Sequence, residues 1–352
     1  MPKYTQTVLG VLLSCILLWI LFRNTDWQTL YAPLRQVSPA WLVLSLALSF
    51  SSFFARVQRW RYVVNAAQPV TFRSLFSAVQ ISLLVNCLVP VRLGDVVRGY
   101  ILARLAKIPF TRSLTFVALD RINDILALVV VLFVTLISFP GDQDIRFAAG
   151  TFSNSEPFVV SSALIEPVAL ALAIFVLVAI LMLVLLYFQQ EFVLRLLDRV
   201  VGVLSSWLAI RLHSIFLNFA SGMHIFRSRI EMAKSVLFSL LTWTLVALSL
   251  VALLKAFHLV FPWFAPFLML SILGVFTSVT VTPGMIGQYH IPVVASLLMI
   301  MPDMGSDEAK AVAIIAHLIA LLPPVILGIF SMLRERLRVV DLFTTQKIKR
   351  DG

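Results

Sequence analysis

Charged residues are scarce in this chain of 352 residues: Asp, Glu, Lys and Arg together make up only 13% of it. A soluble globular protein carries about 25% charged residues. Apolar residues make up 60% of the chain, and many of them lie in long uninterrupted runs. A helical run of about 20 apolar residues crosses the hydrocarbon core of a bilayer. The composition therefore argues against a soluble protein and predicts an all-α polytopic membrane protein.

The sequence also lacks the common catalytic and metal-binding motifs. It contains no H-E-x-x-H zinc motif, no G-x-S-x-G nucleophile elbow and no P-loop. Its five histidines are scattered, and its two cysteines, Cys15 and Cys87, lie in apolar segments. We therefore expect no bound metal, no cofactor and no enzymatic activity. The first apolar segment has no A-x-A cleavage site after it, so we expect it to be retained rather than removed as a signal peptide.

The basic residues predict the topology. Six apolar segments are expected to cross the membrane fully, near 7–22, 40–55, 116–139, 167–188, 235–255 and 309–333. Clusters of lysine and arginine alternate with loops that contain few of them, so most of the 28 basic residues fall on one side. By the positive-inside rule both termini lie in the cytoplasm, and we expect a multi-pass protein of a bacterial cytoplasmic (inner) membrane. The net charge of +11 is then mainly a topology signal, and we expect no nucleic-acid partner.

Two further apolar regions, near 74–106 and 264–302, begin and end on the same predicted side. The first is interrupted by "PVRLG" (90–94) and the second by "TPGMIG" (282–287). The limbs of the first region, 74–89 and 93–106, reach only about 21–24 Å as helices. We predict two re-entrant helical hairpins that enter from opposite faces, an arrangement that indicates inverted pseudo-symmetry. The alternative is that the limbs cross fully, giving eight spans or more.

The rest of the chain adds no second domain. Residues near 190–212 have apolar side chains on one helical face and basic ones on the other, which predicts an amphipathic segment on the cytoplasmic surface. No stretch resembles a soluble domain. We therefore expect residues 1–352 to form a single membrane domain.

Six ionisable residues lie within or beside the apolar segments. They are Arg92, Asp95 and Arg98 in the first hairpin and Asp120, Arg121 and Asp124 in the third span. A charge inside the bilayer costs about 2.5–3.5 kcal/mol on insertion scales, so such residues usually form pairs or line a polar cavity. One interpretation is that ion pairs fix the first hairpin against the third span. The other, which we favour for the set, is a hydrated cavity that accepts an anionic headgroup, because a guanidinium can bind two phosphate oxygens at once.

Two further groups complete the set of candidate substrate contacts. The second hairpin break has free backbone groups and small or polar side chains, contributed by Thr282, Gly284, Gly287 and His290. The end of the second span has basic and aromatic residues, Arg56, Arg59 and Trp60. We expect this last group to contact headgroups at the membrane interface.

Four motifs carry a resemblance to a known family: "RWRYVV" (59–64), "VPVRLGDVVRGYILAR" (89–104), "LDRINDILALVVV" (119–131) and "TPGMIG" (282–287). In this order they resemble the lysylphosphatidylglycerol synthase transmembrane region, a family of flippase-like integral membrane proteins. The family pattern reads approximately P-x-R-x-G-E-x-x-R, then E-R-x-x-D, then T-P-G-G-x-G with a glutamate soon after. This chain has Asp95 and Asp120 for the first two glutamates, Met285 for a glycine, and Gln288 to His290 where the last glutamate is often found.

The resemblance implies a flippase-like membrane domain that moves a lipid between leaflets. The lipid would be an anionic or aminoacylated phospholipid or a polyprenyl-linked lipid, and membrane lipids would be the main partners. The aminoacyl-transferase domain of bifunctional relatives does not occur in this sequence, so a separate enzyme would synthesise the lipid; assembly as a homo-oligomer is left open. Two alternatives stay open: a membrane transferase or hydrolase that uses Asp95 or Asp124, and an accessory subunit of an envelope-lipid biosynthesis complex.

Overall fold

A computed structural model describes residues 3–89, 93–138, 145–147, 158–160, 228–277 and 281–337, together with the single positions 167, 174 and 178. The helices in these ranges are α1 (Lys3–Phe22), α2 (Trp27–Arg35), α3 (Pro39–Asn65), α4 (Phe72–Leu88), α5 (Gly94–Ala106), α6 (Phe110–Ser138), α7 (Arg229–Ala256), α8 (Ala265–Thr277), α9 (His290–Ile300) and α10 (Ser306–Arg334). A 3₁₀ turn, Pro283–Met285, lies between α8 and α9. Two three-residue strands, Ile145–Phe147 and Phe158–Val160, pair antiparallel as β1 and β2. The predicted all-α polytopic class is confirmed.

Five segments of the described chain are long and apolar enough to cross a membrane: α3, α6, α7, α10 and Pro283–Ile300. The pair α1 and α2, bent by 89°, would make a sixth span if counted together. The spans predicted near 40–55, 116–139, 235–255 and 309–333 correspond to α3, α6, α7 and α10. Apart from three single positions, the span near 167–188 lies outside the described residues, as does the amphipathic segment near 190–212.

Helices α3 and α7 pack against each other in antiparallel directions. Ser45 Oγ donates to the Ser249 carbonyl oxygen at 2.7 Å, and Ser249 Oγ donates back to the Ser45 carbonyl oxygen at 2.8 Å. Further along, the ring of Tyr62 lies 5.5 Å from that of Phe238. Small hydroxyl side chains allow the close approach of two helices in a membrane and satisfy their own polar groups there.

The contacts between helix ends define two ends of the bundle. At one end the Asp26 backbone N–H donates to Asp307, and the Ser38 N–H donates to the Ala256 carbonyl. At the opposite end, which we call the basic end, Arg334 donates to the Arg73 carbonyl and Arg112 donates to the Ala67 carbonyl. The described helices bury two apolar clusters, one towards each end of the bundle. The cluster at the basic end includes Trp60, Ile81, Ile101 and Phe116, and the cluster at the other end includes Leu253, Met269, Val294 and Val312.

Helices α4 and α5 form a hairpin whose open ends both lie at the basic end, because α4 follows α3 there and α5 leads into α6. With 17 and 13 residues, they are about 26 and 20 Å long, less than the ~30 Å core. The Gly94 N–H donates to Asn86 Oδ1 at 2.8 Å, so the start of α5 lies directly on α4. A Cβ on Gly94 would come within 2.5 Å of the same Oδ1, which explains the glycine.

Helices α8 and α9 form a second hairpin that opens at the other end, since α7 ends there and α10 begins there. Helices α3 to α6 contain 27, 17, 13 and 29 residues, and α7 to α10 contain 28, 13, 11 and 29. The same long–short–short–long order therefore occurs twice. Because α3 and α7 run in opposite directions, this order has the form of an inverted repeat.

Candidate functional site

A cavity of about 470 Å³ lies between the end of α4 in the first hairpin and the break of the second hairpin. A Cβ placed on Gly284, in the second break, would lie only 3.7 Å from the Cys87 carbonyl oxygen at the end of α4. The polar wall of the cavity is formed by Arg56, Arg121 and Asp124 from α3 and α6. The wall on the second hairpin and α10 is formed by Gly284, Met285, Tyr289 and His317.

Four arginines and three aspartates beside this cavity form one connected ion-pair cluster. Its members are Arg56 and Arg59 of α3, Asp95 and Arg98 of α5, and Asp120, Arg121 and Asp124 of α6. Asp120 lies at its centre, where Oδ1 accepts from Arg59 Nε at 2.8 Å and Oδ2 accepts from Arg98 Nη1 at 2.7 Å. One carboxylate thus connects α3, α5 and α6.

The other two carboxylates of the cluster extend it towards the cavity. Asp124 Oδ1 accepts from Arg59 Nη1 at 2.5 Å, and its Oδ2 lies 3.5 Å from Arg56 Nη1 and 3.4 Å from Arg121 Nη1. Both oxygens of Asp95 accept from Arg121, one of them from Nε at 3.0 Å. Every carboxylate oxygen in the cluster therefore lies against at least one guanidinium.

The cluster has a sealed inner part and a more open outer part. The side chains of Arg59 and Asp120 are 0% and 1% exposed, whereas those of Arg56 and Arg121 are 21% and 30% exposed. Arg98 belongs to the sealed part, and its guanidinium carbon lies 3.7 Å from the centre of the Trp60 ring. This stacking adds a cation–π contact to the Arg98–Asp120 pair.

The structure separates the candidate residues that the sequence grouped together. Arg121 and Asp124 line the cavity, while Arg98 and Asp120 pair behind its wall; Arg92 lies outside the described residues. Arg98 and Asp120 are thus ion-paired away from the cavity, whereas Arg121 and Asp124 are ion-paired and also line it. Asp95 pairs with Arg121, and Asp124 links the two parts because it contacts Arg59 as well as Arg121.

The interfacial placement expected for Arg59 and Trp60 needs correction. Both side chains are fully buried, and the Trp60 Nε1–H donates to the Phe116 carbonyl at 3.1 Å. The physical reason is that α3 continues to Asn65, so these residues lie inside the bundle and not at a helix end. Arg56, which was expected beside them at the interface, instead faces the cavity.

The second break is held by the amide of Gln288. Its Oε1 accepts from the Val281 N–H at 3.1 Å and from Thr282 Oγ1 at 3.3 Å, and its Nε2 donates to the Phe276 carbonyl at 2.6 Å. Thr282 is 0% exposed, so it supports the turn and does not line the cavity. An amide suits this position because it can accept and donate at once.

Two histidines brace the glycines of the same break. His317 Nε2 donates to the Gly284 carbonyl at 2.7 Å, and His290 Nδ1 accepts from the Gly287 N–H at 3.2 Å. Their ring centres are 4.6 Å apart. Gly284 and Gly287 have φ values of +61° and +79°, in the left-handed region that favours glycine. Sequence reasoning selected His290 but not His317, because a single histidine in a long apolar helix gave no sign of the distant turn that it contacts.

The described residues contain no group of three or more His, Cys, Asp or Glu side chains suited to a metal ion. What the site offers is a set of guanidinium donors beside a cavity that is otherwise largely apolar. A guanidinium can bind an anion by charge-assisted hydrogen bonds.

Comparison with known proteins identifies a family. The family model described as the lysylphosphatidylglycerol synthase TM region matches residues 7–328. No curated protein and no solved structure matches the chain significantly. Since the family model covers most of the chain and the helices fit a multi-pass membrane protein, the chain belongs to the lysylphosphatidylglycerol synthase transmembrane-region family.

Proposed function

We propose that this protein moves a lipid with an anionic headgroup between the two leaflets of a membrane. The observation that carries the proposal is the cavity between the end of α4 and the break of the second hairpin, with Arg56 and Arg121 in its wall. The family to which the chain belongs is named for a lipid synthase, which agrees with a role in lipid handling.

The size of the cavity supports binding of a headgroup and not of a whole lipid. Ligand pockets of about 300–1,000 Å³ hold molecules of drug size, and this one has about 470 Å³. A phosphate with its polar substituent fits such a volume, whereas two long acyl chains do not. The acyl chains would therefore stay in the surrounding bilayer while the headgroup crosses.

The inverted order of the helices supports a transport cycle. In many transporters two oppositely oriented repeats rock against each other around a site near the middle of the membrane. Here each half contributes one hairpin, and α4 of the first hairpin and the break of the second both line the same cavity. Movement of one half against the other would expose the cavity to each leaflet in turn.

Reconstitution into liposomes tests the proposal. Vesicles would contain an anionic phospholipid with a fluorescent acyl chain, and a membrane-impermeant reductant would report how fast the labelled lipid reaches the outer leaflet. We expect wild type to move the lipid at least ten times faster than protein-free vesicles. Arg56→Gln should slow it at least fivefold, because this variant removes a donor from the cavity wall.

Arg73→Gln provides the matched control. Its side chain is 67% exposed at the basic end, so losing the same charge there should leave the rate unchanged. Analysis of the extracted lipid by mass spectrometry separates the alternatives: a cleaved or modified lipid would favour a membrane enzyme. An absence of movement by folded protein, together with a stable co-purifying partner, would favour an accessory subunit.

A further inference from the structure

Two histidines meet at the second break, and their hydrogen bonds fix which ring nitrogens carry a proton. The Gly284 carbonyl can only accept, so His317 Nε2 carries a proton in their 2.7 Å bond. The Gly287 N–H donates to His290 Nδ1 at 3.2 Å, so that nitrogen carries none. His290 is therefore a neutral ring in this structure, whereas His317 can take up a second proton on Nδ1.

The Nδ1 of His317 is open to a proton from the cavity. His317 lines the cavity and is 7% exposed, and its Nδ1 has no hydrogen-bond partner in the part of the chain that the structure describes. We propose that His317 binds a proton on Nδ1 while a lipid headgroup occupies the cavity, and that the proton and the lipid cross the membrane together. This inference rests on the proposed function and names the ion that accompanies the lipid.

The groups around His317 do not favour a proton by themselves. The rings of His290 and Tyr289 have their centres 4.6 and 5.2 Å from that of His317, and neither neutral ring supplies a negative charge. The other titratable or charged side chains that share the cavity are Cys87 of α4, Arg56 of α3, and Arg121 and Asp124 of α6, while α7 and α8 contribute uncharged ones. Two arginines against one aspartate leave this wall with a net positive charge. An imidazolium at His317 therefore needs an added negative charge.

A phosphate in the cavity supplies that charge. Charges interact more strongly in a cavity lined by protein than in bulk water, so binding of the headgroup favours the proton on His317. By linkage, the proton favours binding of the headgroup to the same extent. The charged His317 is also a stronger donor to the Gly284 carbonyl. The proton thus stabilises the second break around the bound headgroup.

His290 limits the pair to one proton. A proton on its Nδ1 would point at the Gly287 N–H, so that two donors would face each other. Two imidazolium rings with centres 4.6 Å apart would also repel each other. We therefore expect one proton for each phosphate, so that phosphatidylglycerol, with its single negative charge, crosses without net movement of charge.

A pH difference across proteoliposomes tests the inference. The vesicles would contain trace phosphatidylglycerol with a fluorescent acyl chain, an interior about one pH unit more acidic than the outside, and potassium with valinomycin to hold the membrane potential at zero. A lipid that crosses with a proton collects in the leaflet that faces the less acidic side, here the outer one. One proton for each lipid corresponds to an outer-to-inner ratio of about tenfold per pH unit. We expect a ratio of at least threefold for wild type, measured with the impermeant reductant, and equal amounts in both leaflets without the pH difference.

His317→Gln separates the proton from the contact with the break. The glutamine amide can still donate to the Gly284 carbonyl but takes up no proton, so this variant should move the lipid yet leave equal amounts in both leaflets under the pH difference. His258→Asn is the matched control. His258 is exposed beyond the end of α7 and has a φ of +57°, a conformation that asparagine tolerates. This variant should keep the wild-type ratio.

The outcomes are distinct. Equal amounts of the lipid in both leaflets of wild-type vesicles, despite the pH difference, would overturn the inference and leave the proposed transport function intact. No protein-dependent movement under any condition would overturn the proposed function itself. A wild-type ratio in His317→Gln would overturn the assignment of the proton to His317. If His317→Gln does not fold, wild-type protein in uncharged micelles and weak buffer replaces it: uptake of protons from the solution when phosphatidylglycerol is added supports the inference, and no uptake contradicts it.

Discussion

The pair formed by Arg98 and Asp120 allows the strongest test of the buried cluster. Asp120 is 1% exposed and accepts from two guanidinium groups, while Arg98 has Asp120 as its one ion-pair partner among the described residues. Removing one partner of a buried pair typically costs about 3–5 kcal/mol. Asp120→Asn removes the carboxylate partner of two arginines at once. We therefore expect it to lower the free energy of unfolding by about 5 kcal/mol, at the top of that range.

Arg98→Met is the second single variant, and together with Asp120→Asn and the double variant it forms a double-mutant cycle. Methionine keeps an apolar stem against Trp60 but loses the charge stacked on that ring, and Asp120 keeps its pair with Arg59. We therefore expect a loss of about 3 kcal/mol, at the bottom of the same range. In the double variant both residues are replaced, so no buried Arg98 is left without its partner. The decrease in its free energy of unfolding should therefore be about 2–3 kcal/mol smaller than the sum of the decreases in the two single variants.

Unfolding in mixed micelles, with a denaturing detergent as titrant and helical circular dichroism as the signal, measures these free energies. The exposed pair of Lys234 and Glu231, with side chains 45% and 28% exposed at 3.0 Å, is the matched control. Its own cycle should give a coupling of about 0.5 kcal/mol or less. A coupling equally small for Arg98 and Asp120 would refute the view that this pair holds α5 to α6.

Three further substitutions test how the helices and breaks are positioned. Gly94→Ala should cost about 3 kcal/mol of unfolding free energy, because its Cβ would come within 2.5 Å of an α4 side-chain oxygen. Gly328→Val should cost a similar amount, about 3 kcal/mol, since a Cβ there would lie 2.5 Å from that of Leu84. His317→Phe should cost about 1–3 kcal/mol by leaving the Gly284 carbonyl without its donor, and it should also slow lipid movement because Gly284 lines the cavity.

The same titration and the vesicle assay measure these effects, and Gly305→Ala is the control for the glycine variants. A Cβ on Gly305 has no neighbour closer than 4.0 Å, so this variant should match wild type. A loss at Gly305 as large as the loss at Gly94 would show that removing any glycine destabilises the protein, and the argument from close helix approach would fail. An unchanged unfolding free energy for His317→Phe would contradict the bracing role of His317.

Much of the fold could be predicted because its signals are local. The length of an apolar run determines whether a helix can cross the membrane. Proline and glycine at 90–94 and 282–287 identify two places where a helix cannot continue. The described helices end close to these breaks, at Leu88 and Thr277, and resume at Gly94 and His290. The sequence could not tell how far α3 continues past its apolar part, because the partners that allow Arg59 to be buried are on α6.

The site was only partly predictable for the same reason. Asp95 and Arg98 are three residues apart in the first hairpin, yet their spacing says nothing about which side chain each of them contacts. Asp95 pairs with Arg121, and Arg98 pairs with Asp120, so the two neighbours serve different parts of the cluster. The contact of His317 with a turn 33 residues earlier likewise depends on tertiary packing alone.

The buried ion pairs and the proposed binding of a headgroup are compatible once the burial of each residue is considered. A guanidinium that faces a cavity needs a fixed position to bind a phosphate well, and a long arginine side chain does not provide this by itself. Here Asp124 lies between the sealed Arg59 and the cavity-lining Arg56 and Arg121. The buried pairs thus hold the carboxylate that in turn orients the exposed donors. Loss of a sealed pair should therefore reduce lipid movement even though the residue removed never touches the lipid.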